Sequence, residues 1–222
     1  MELELEINNF IEKNQSIEKA SFDSSIIKTS LKIYGVKTNL LRKEAKRIAK
    51  LNSNDLPLHQ SYEMDFIIGV SKAYAKIDLL EKLNFYEQFF IGVDNWAIVD
   101  GVGTSLNLKD NDFFDIKKFI EKNINSEHIF LVRFCYILLL HNYVKKEYLE
   151  YIISLIKEEA PYYILMIEAW LLATCFLIDK ELILEYLKKI NKNGCLFKFT
   201  KRKLLDSLRV SEIDKVSLRS LK

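Results

Sequence analysis

Ile129-Phe130-Leu131-Val132-Arg133-Phe134-Cys135-Tyr136-Ile137-Leu138-Leu139-Leu140 is a run of apolar residues with one charge in it, the guanidinium of Arg133. It sits in a stretch of helical period, 127–142, and reads as an apolar helix with one odd polar group. An unpaired charge out of water is very costly. Arg133 therefore either pairs inside a core or lines a cleft where its charge has a task. Upstream, Asn95-Trp96-Ala97-Ile98-Val99-Asp100 poses the same question, with a carboxylate one helical turn from an indole.

Outward from these runs, almost every stretch repeats with helical period. The pattern predicts helices over 2–14, 22–34, 38–51, 57–73, 76–92, 95–107, 112–124, 127–142, 145–158, 161–177, 180–190, 198–207 and 211–221. Six glycines and two prolines in 222 residues argue against turn-rich sandwiches and barrels. Ser126 precedes the run at 127, Pro161 suits a first helical turn, and Ser211 with Asp214 has capping-box spacing. Asn193-Gly194 is expected to close the helix that ends near Ile190. The helices pair through short links, with pair starts near 57, 95, 127, 161 and 197. A two-helix unit recurring at roughly 35 residues marks an α-solenoid, whose stacked units present one concave groove. No low-complexity segment or long linker divides the chain, so a single domain over 1–222 is expected.

The formal net charge of +2 hides an asymmetry. Residues 28–50 carry eight Lys/Arg against one acid, and residues 197–222 carry eight against three. Two basic patches on a slightly acidic body suit a polyanion partner at a defined surface, or else two solvated helix faces. Cys135, Cys175 and Cys195 follow no metal spacing and read as small buried hydrophobes in a reducing compartment. MELELEINNF lacks the order of a signal peptide. The apolar stretch from Tyr162 to Ile178, broken by Glu168, is short for a membrane span and reads as a central buried helix. A cytoplasmic, nucleoid-associated monomer is expected, with no membrane contact. His59, His128 and His141 do not cluster with acids at ligand spacing, so no metal is expected. Gly101-x-Gly103 lacks a third glycine and a strand, and is read as letting the helix after Asp100 bend or approach a neighbour. Tyr34, Tyr62, Tyr74, Tyr162 and Tyr163 read as core or groove lining.

Trp96 and Asp100 share a helical face, and Arg133 and Trp170 sit in the equivalent helices of the next two units. The residues alone leave two readings. One is an Asp100–Arg133 ion pair buried between core tryptophans. The other is a groove lined by a carboxylate, a guanidinium and two indoles.

In order and spacing, Gly35-Val36-Lys37-Thr38-Asn39-Leu40-Leu41-Arg42, Trp96-x-x-x-Asp100, Arg133, Tyr162-Tyr163-x(6)-Trp170 and Thr200-Lys201-Arg202 form one series. That series resembles the AlkD-like DNA alkylation repair proteins, alkylpurine DNA glycosylases with HEAT-like repeats. The resemblance covers most of the chain and implies an all-α, right-handed α–α superhelix of HEAT-like pairs. It implies excision of cationic N3- or N7-alkylated purines from duplex DNA, without base flipping and without metal or organic cofactor. By resemblance, Asp100 stabilises the sugar cation that forms as the base leaves and positions the attacking water. Trp96 and Trp170 touch the sugar, and Arg133 holds a phosphate. Arg42, Lys43, Arg47, Lys201 and Arg202 are then the DNA-binding cations. The chain departs from the family at Asn39, where proline is usual. It departs again around Trp170, where Leu165-Met166 and Leu172-Ala173-Thr174 replace basic residues and Glu168 replaces a small one. Those departures support an alternative, a non-catalytic HEAT-like paralogue that binds DNA structures or a protein partner.

Overall fold

Capping side chains mark where many of the helices begin. Ser61, Asp78, Asn95, Asp179 and Ser211 each accept a hydrogen bond from a backbone N–H two or three residues on, which satisfies a donor the first turn leaves open. The computed structural model describes residues 2–51 and 56–221, and the regular elements among them are all helical. They fall into two compact units, Met1–Asp115 and Ile116–Lys222. No helix among the described residues is long and apolar enough to cross a membrane.

The first unit holds α1 (Glu2–Asn14), α2 (Ile17–Ile26), α3 (Thr38–Ile48), α4 (Tyr62–Tyr74), α5 (Leu79–Gly92) and α6 (Trp96–Gly103). Its core is α4, buried from Tyr62 through Ser71 and packed against α1, α3, α5 and α6. The second helix departs from expectation, starting at Ile17 rather than 22 and ending at Ile26 rather than 34. Ser16 caps it by accepting from the Lys19 N–H, and Ile27 is already extended. Beyond it, Thr29 and Ser30 bind the Asp94 carboxylate through both hydroxyls and the Ser30 N–H, which holds the chain out of a helix. Farther on, the N–H groups of Tyr34, Gly35 and Val36 all donate to the buried carboxylate of Glu63 in α4, at 2.8–3.3 Å. Helix α4 starts at Tyr62 rather than 57, because His59 takes a left-handed backbone (φ 61°) and Ser61 is the cap.

Helix α7 (Phe113–Asn123) leads into the second unit, with α8 (Ile129–Asn142), α9 (Leu149–Leu155), α10 (Tyr162–Cys175), α11 (Lys180–Lys189), α12 (Cys195–Asp206) and α13 (Glu212–Ser220). Helix α8 is buried from Phe130 through Leu140 and packs against α10, which packs in turn against α12. The expectation of a central buried helix holds for α10, except that Tyr162 and Trp170 reach the surface. Cys135 and Cys175 are buried as expected, whereas Cys195 is exposed. Two caps differ from expectation. Ser126 accepts from the His128 N–H and so closes a turn just before α8 rather than capping it. Gly194 does not close α11; it stands at the cap position of α12, which begins three residues earlier than the pattern predicts.

Candidate functional site

In the first unit, the fully buried Asn95 accepts from the Ile98 N–H and starts α6. Trp96 and Asp100 follow one turn apart on the same side of that helix, both half-buried. The indole N–H of Trp96 points to the Ile26 carbonyl, 3.4 Å away at the end of α2. The Asp100 carbonyl accepts from the Thr104 N–H and hydroxyl, which closes the helix. Gly101 bears out the expected close approach: a Cβ there would stand 2.4 Å from the Phe66 ring of α4. A Cβ here would collide with the Phe66 ring, so glycine lets α6 lie this near α4.

In the second unit, Arg133 is 5% exposed, and its Nη1 donates to the Tyr163 carbonyl in the first turn of α10 at 2.9 Å. Trp170 is 39% exposed. The His141 ring meets it edge-on at 6.1 Å, and the Lys203 ammonium lies 5.5 Å from its ring centroid. Beside it opens a cleft of about 350 Å³, lined by Trp170, Thr174, Lys203, Asp206, Ser207 and Arg209 among others. Glu168 adds no carboxylate to this surface, because it is fully buried. It accepts from the Lys157 N–H at 2.9 Å and meets the Tyr136 hydroxyl at 2.7 Å. Desolvation raises its pKa to about 7, against the opposing pull of those two hydrogen bonds and of the Lys157 charge.

The five basic residues singled out from sequence divide by what they touch. Arg42 donates to the Thr104 and Ser105 hydroxyls just after α6 and lies over the Phe66 ring, tying α3 to α6. Arg47 pairs with Glu44 and Glu6. The Lys201 ammonium donates to the Arg219 and Leu221 carbonyls and closes the end of α13. Lys43 and Arg202 are exposed, the latter in a surface pair with Asp206 at 3.6 Å. Lys43, Lys46 and Lys50 share a groove of about 650 Å³ between α1 and α3 with Lys13 and an apolar floor of Phe10 and Leu40. Lys222, counted in the C-terminal basic stretch, lies outside the described residues.

Among the described residues, no group of three His, Cys, Asp or Glu is placed to hold a metal ion. Of the histidines, His59 is held most closely: its N–H and its Nδ1 both meet the buried carboxylate of Asp65, at 2.7 and 2.8 Å. Sequence reasoning missed the partners that give Glu63, Asp65, Glu168 and Lys203 their settings. Glu63, Asp65 and Lys203 lie within helical patterns where a charge reads as solvated, and Glu168 lies in a helix read as buried, where the pattern names no partner for it. Trp96 and Asp100 belong to the first unit, and Arg133 and Trp170 to the second.

One family model matches the chain, over residues 7–202; its description is DNA alkylation repair enzyme. The span takes in Trp96, Asp100, Arg133, Trp170 and all five basic residues named above. No curated protein and no solved structure matches.

Proposed function

Since the chain belongs to the DNA alkylation repair enzyme family, we propose that it is a glycosylase that excises cationic N3- and N7-alkylated purines from duplex DNA. Its helix pairs then form a HEAT-like, right-handed solenoid that takes the duplex in its concave face, as a monomer and without metal or organic cofactor. The observation that carries this reading is the placing of a half-exposed carboxylate, Asp100, and an indole, Trp96, side by side on α6. An alkylated purine already bears positive charge and is a good leaving group, so the barrier lies in the cationic sugar left behind. A fixed carboxylate beside that sugar stabilises the charge as it develops. The Asp100 oxygens also accept a proton-side contact from the attacking water. The faces of Trp96 and Trp170 attract cationic character.

Lys43 and Arg202 meet phosphate directly in this reading, while Arg42, Arg47 and Lys201 hold the helices that carry them. The test is release of 7-methylguanine from duplex DNA. Loss of one preorganised electrostatic partner lowers a rate by about 10²–10³, so Asp100→Asn is expected to lose release to that extent while duplex binding persists. Release unaffected by Asp100→Asn would sink the catalytic assignment.

A second reading, a non-catalytic paralogue that binds DNA structures or a protein, draws on the setting of Arg133. Its guanidinium is buried and bonded to the Tyr163 carbonyl, which suits a group that joins α8 to α10. Under this reading wild-type protein releases no alkylated base.

A further inference from the structure

The cations of the cleft beside Trp170 come from a different element than Trp170 itself. Helix α10 has no Lys or Arg from Tyr162 to Cys175, and its one acid, Glu168, is buried and does not line the cleft. Lys203 reaches in from the last turn of α12, and Arg209 from the turn before α13. The Ser207 hydroxyl accepts from the Arg209 N–H at 3.2 Å, which fixes the turn and the root of the arginine side chain. Opposite, the Thr174 hydroxyl donates to the Trp170 carbonyl at 2.9 Å and braces the helix beneath the indole. Two cations and one carboxylate, Asp206, leave the lining with a surplus of one positive charge. Lys203 lies over the Trp170 ring, a contact worth only about 0.5–1 kcal/mol at an exposed site. Charge-assisted bonds to a phosphate are stronger.

We propose that this cleft seats one phosphodiester of the bound strand, gripped by Lys203 and Arg209, next to the sugar that Trp170 touches. The proposal rests on the DNA-excision reading above. A single phosphate monoanion matches the surplus charge. Moving the Lys203 ammonium from the ring to the phosphate also clears the indole face. A cationic sugar would be repelled by an ammonium that stayed there, so the two events are coupled. Lys203 and Arg209 thus take over at this site from the basic residues that α10 lacks.

The experiment is the salt dependence of binding to an undamaged duplex, run beside 7-methylguanine release. Each phosphate contact contributes about 0.9 to the slope of log affinity against log salt. The pair Lys203→Gln with Arg209→Gln is expected to flatten the slope by about 0.9, the value for one phosphate, and Lys203→Arg to keep it. Lys198→Gln, an exposed change on α12 outside the cleft lining, is expected to leave the slope within error, with circular dichroism checking that each variant is folded. An unchanged slope in the double variant, with release by wild type intact, overturns the phosphate seat and leaves the excision reading standing. A slope that falls equally for Lys198→Gln overturns the seat in favour of a diffuse field. A seat-dependent slope with no release supports the seat and overturns excision. No duplex binding by wild type at low salt overturns both.

Discussion

Tyr136 has one phenolic proton, yet its oxygen lies 2.7 Å from both the Leu155 carbonyl and Glu168 Oε1. One proton cannot serve two acceptors. Both contacts are satisfied if Glu168 is protonated and donates to Tyr136, which donates onward to Leu155. A neutral carboxyl also suits Glu168 Oε2, a buried oxygen with no hydrogen-bond partner among the described residues. The charged and titratable groups around it are Tyr136 of α8, Lys157 before α10 and Tyr186 of α11. Burial raises the folded-state pKa to about 7, from an ordinary value of 4.5. The folded protein therefore holds a proton that the unfolded chain has already released between these limits. The stability this adds is fully present below about pH 4.5, falls as pH rises through about 7, and is flat above. Glu168→Gln keeps the shape and removes the titration. In urea unfolding it is expected to stand roughly 2–3 kcal/mol above wild type at pH 8, with the gap closing towards pH 5. A gap that stays constant from pH 5 to 8 contradicts a protonated Glu168.

At the scale of elements, helix periodicity made most of the fold legible, and α8 and α10 were legible as its apolar helices. Where the pattern failed, the organising atom came from far along the chain. The segment after α2 repeats like a helix, but its N–H groups at Tyr34, Gly35 and Val36 are captured by Glu63, about one helix later in sequence. From sequence, Glu63 is one acid inside the predicted helix 57–73, where a charge reads as solvated. Nothing local marks it as buried. The local placement of the candidate residues was legible in the same measure. The one-turn spacing of Trp96 and Asp100 survives intact, because it depends only on α6. The hydrogen-bond partners of Arg42 and Arg133 were not legible, since Thr104, Ser105 and Tyr163 come from other elements. Gly35 gives this long-range turn its sharpest test. Its φ is +78°, and a Cβ would stand 2.3 Å from the Ala20 nitrogen and the Ser16 carbonyl oxygen, both backbone atoms that cannot swing aside. A left-handed non-glycine residue costs about 1–3 kcal/mol before any clash. Gly35→Ala is thus expected to lower Tm by roughly 4–8 °C, since a chain of this length loses about 2–4 °C per kcal/mol. A Tm within 1 °C of wild type would show that the Glu63-bound turn is not fixed as described.

Over the whole molecule, charge counts and charge availability are different quantities. The run 28–50 holds eight cations, but two of its arginines already have partners in the fold. Arg42 is bonded to Thr104 and Ser105, and Arg47 to Glu44 and Glu6. Lys43, in the same helix as both, is exposed beside a groove whose other cations are also lysines, Arg47 apart. Releasing counterions from DNA needs a cation that can leave water for a phosphate, so neighbouring residues of equal formal charge should behave differently. Lys43→Gln is expected to flatten the salt slope of duplex binding by about 0.9 and to leave thermal stability unchanged. Arg42→Gln is expected to do the reverse. It removes the donor to the Thr104 and Ser105 hydroxyls, which keep their own bonds to α6 carbonyls. The loss is of charge-assisted bonds worth about 1.5–3 kcal/mol, so Tm falls while the slope holds. Because α6 carries Asp100, the same change should lower 7-methylguanine release more than it lowers binding. If Arg42→Gln and Lys43→Gln shift the slope alike and leave Tm alike, the basic run acts as an undivided field, and the bonds from α3 to the end of α6 carry no separate weight.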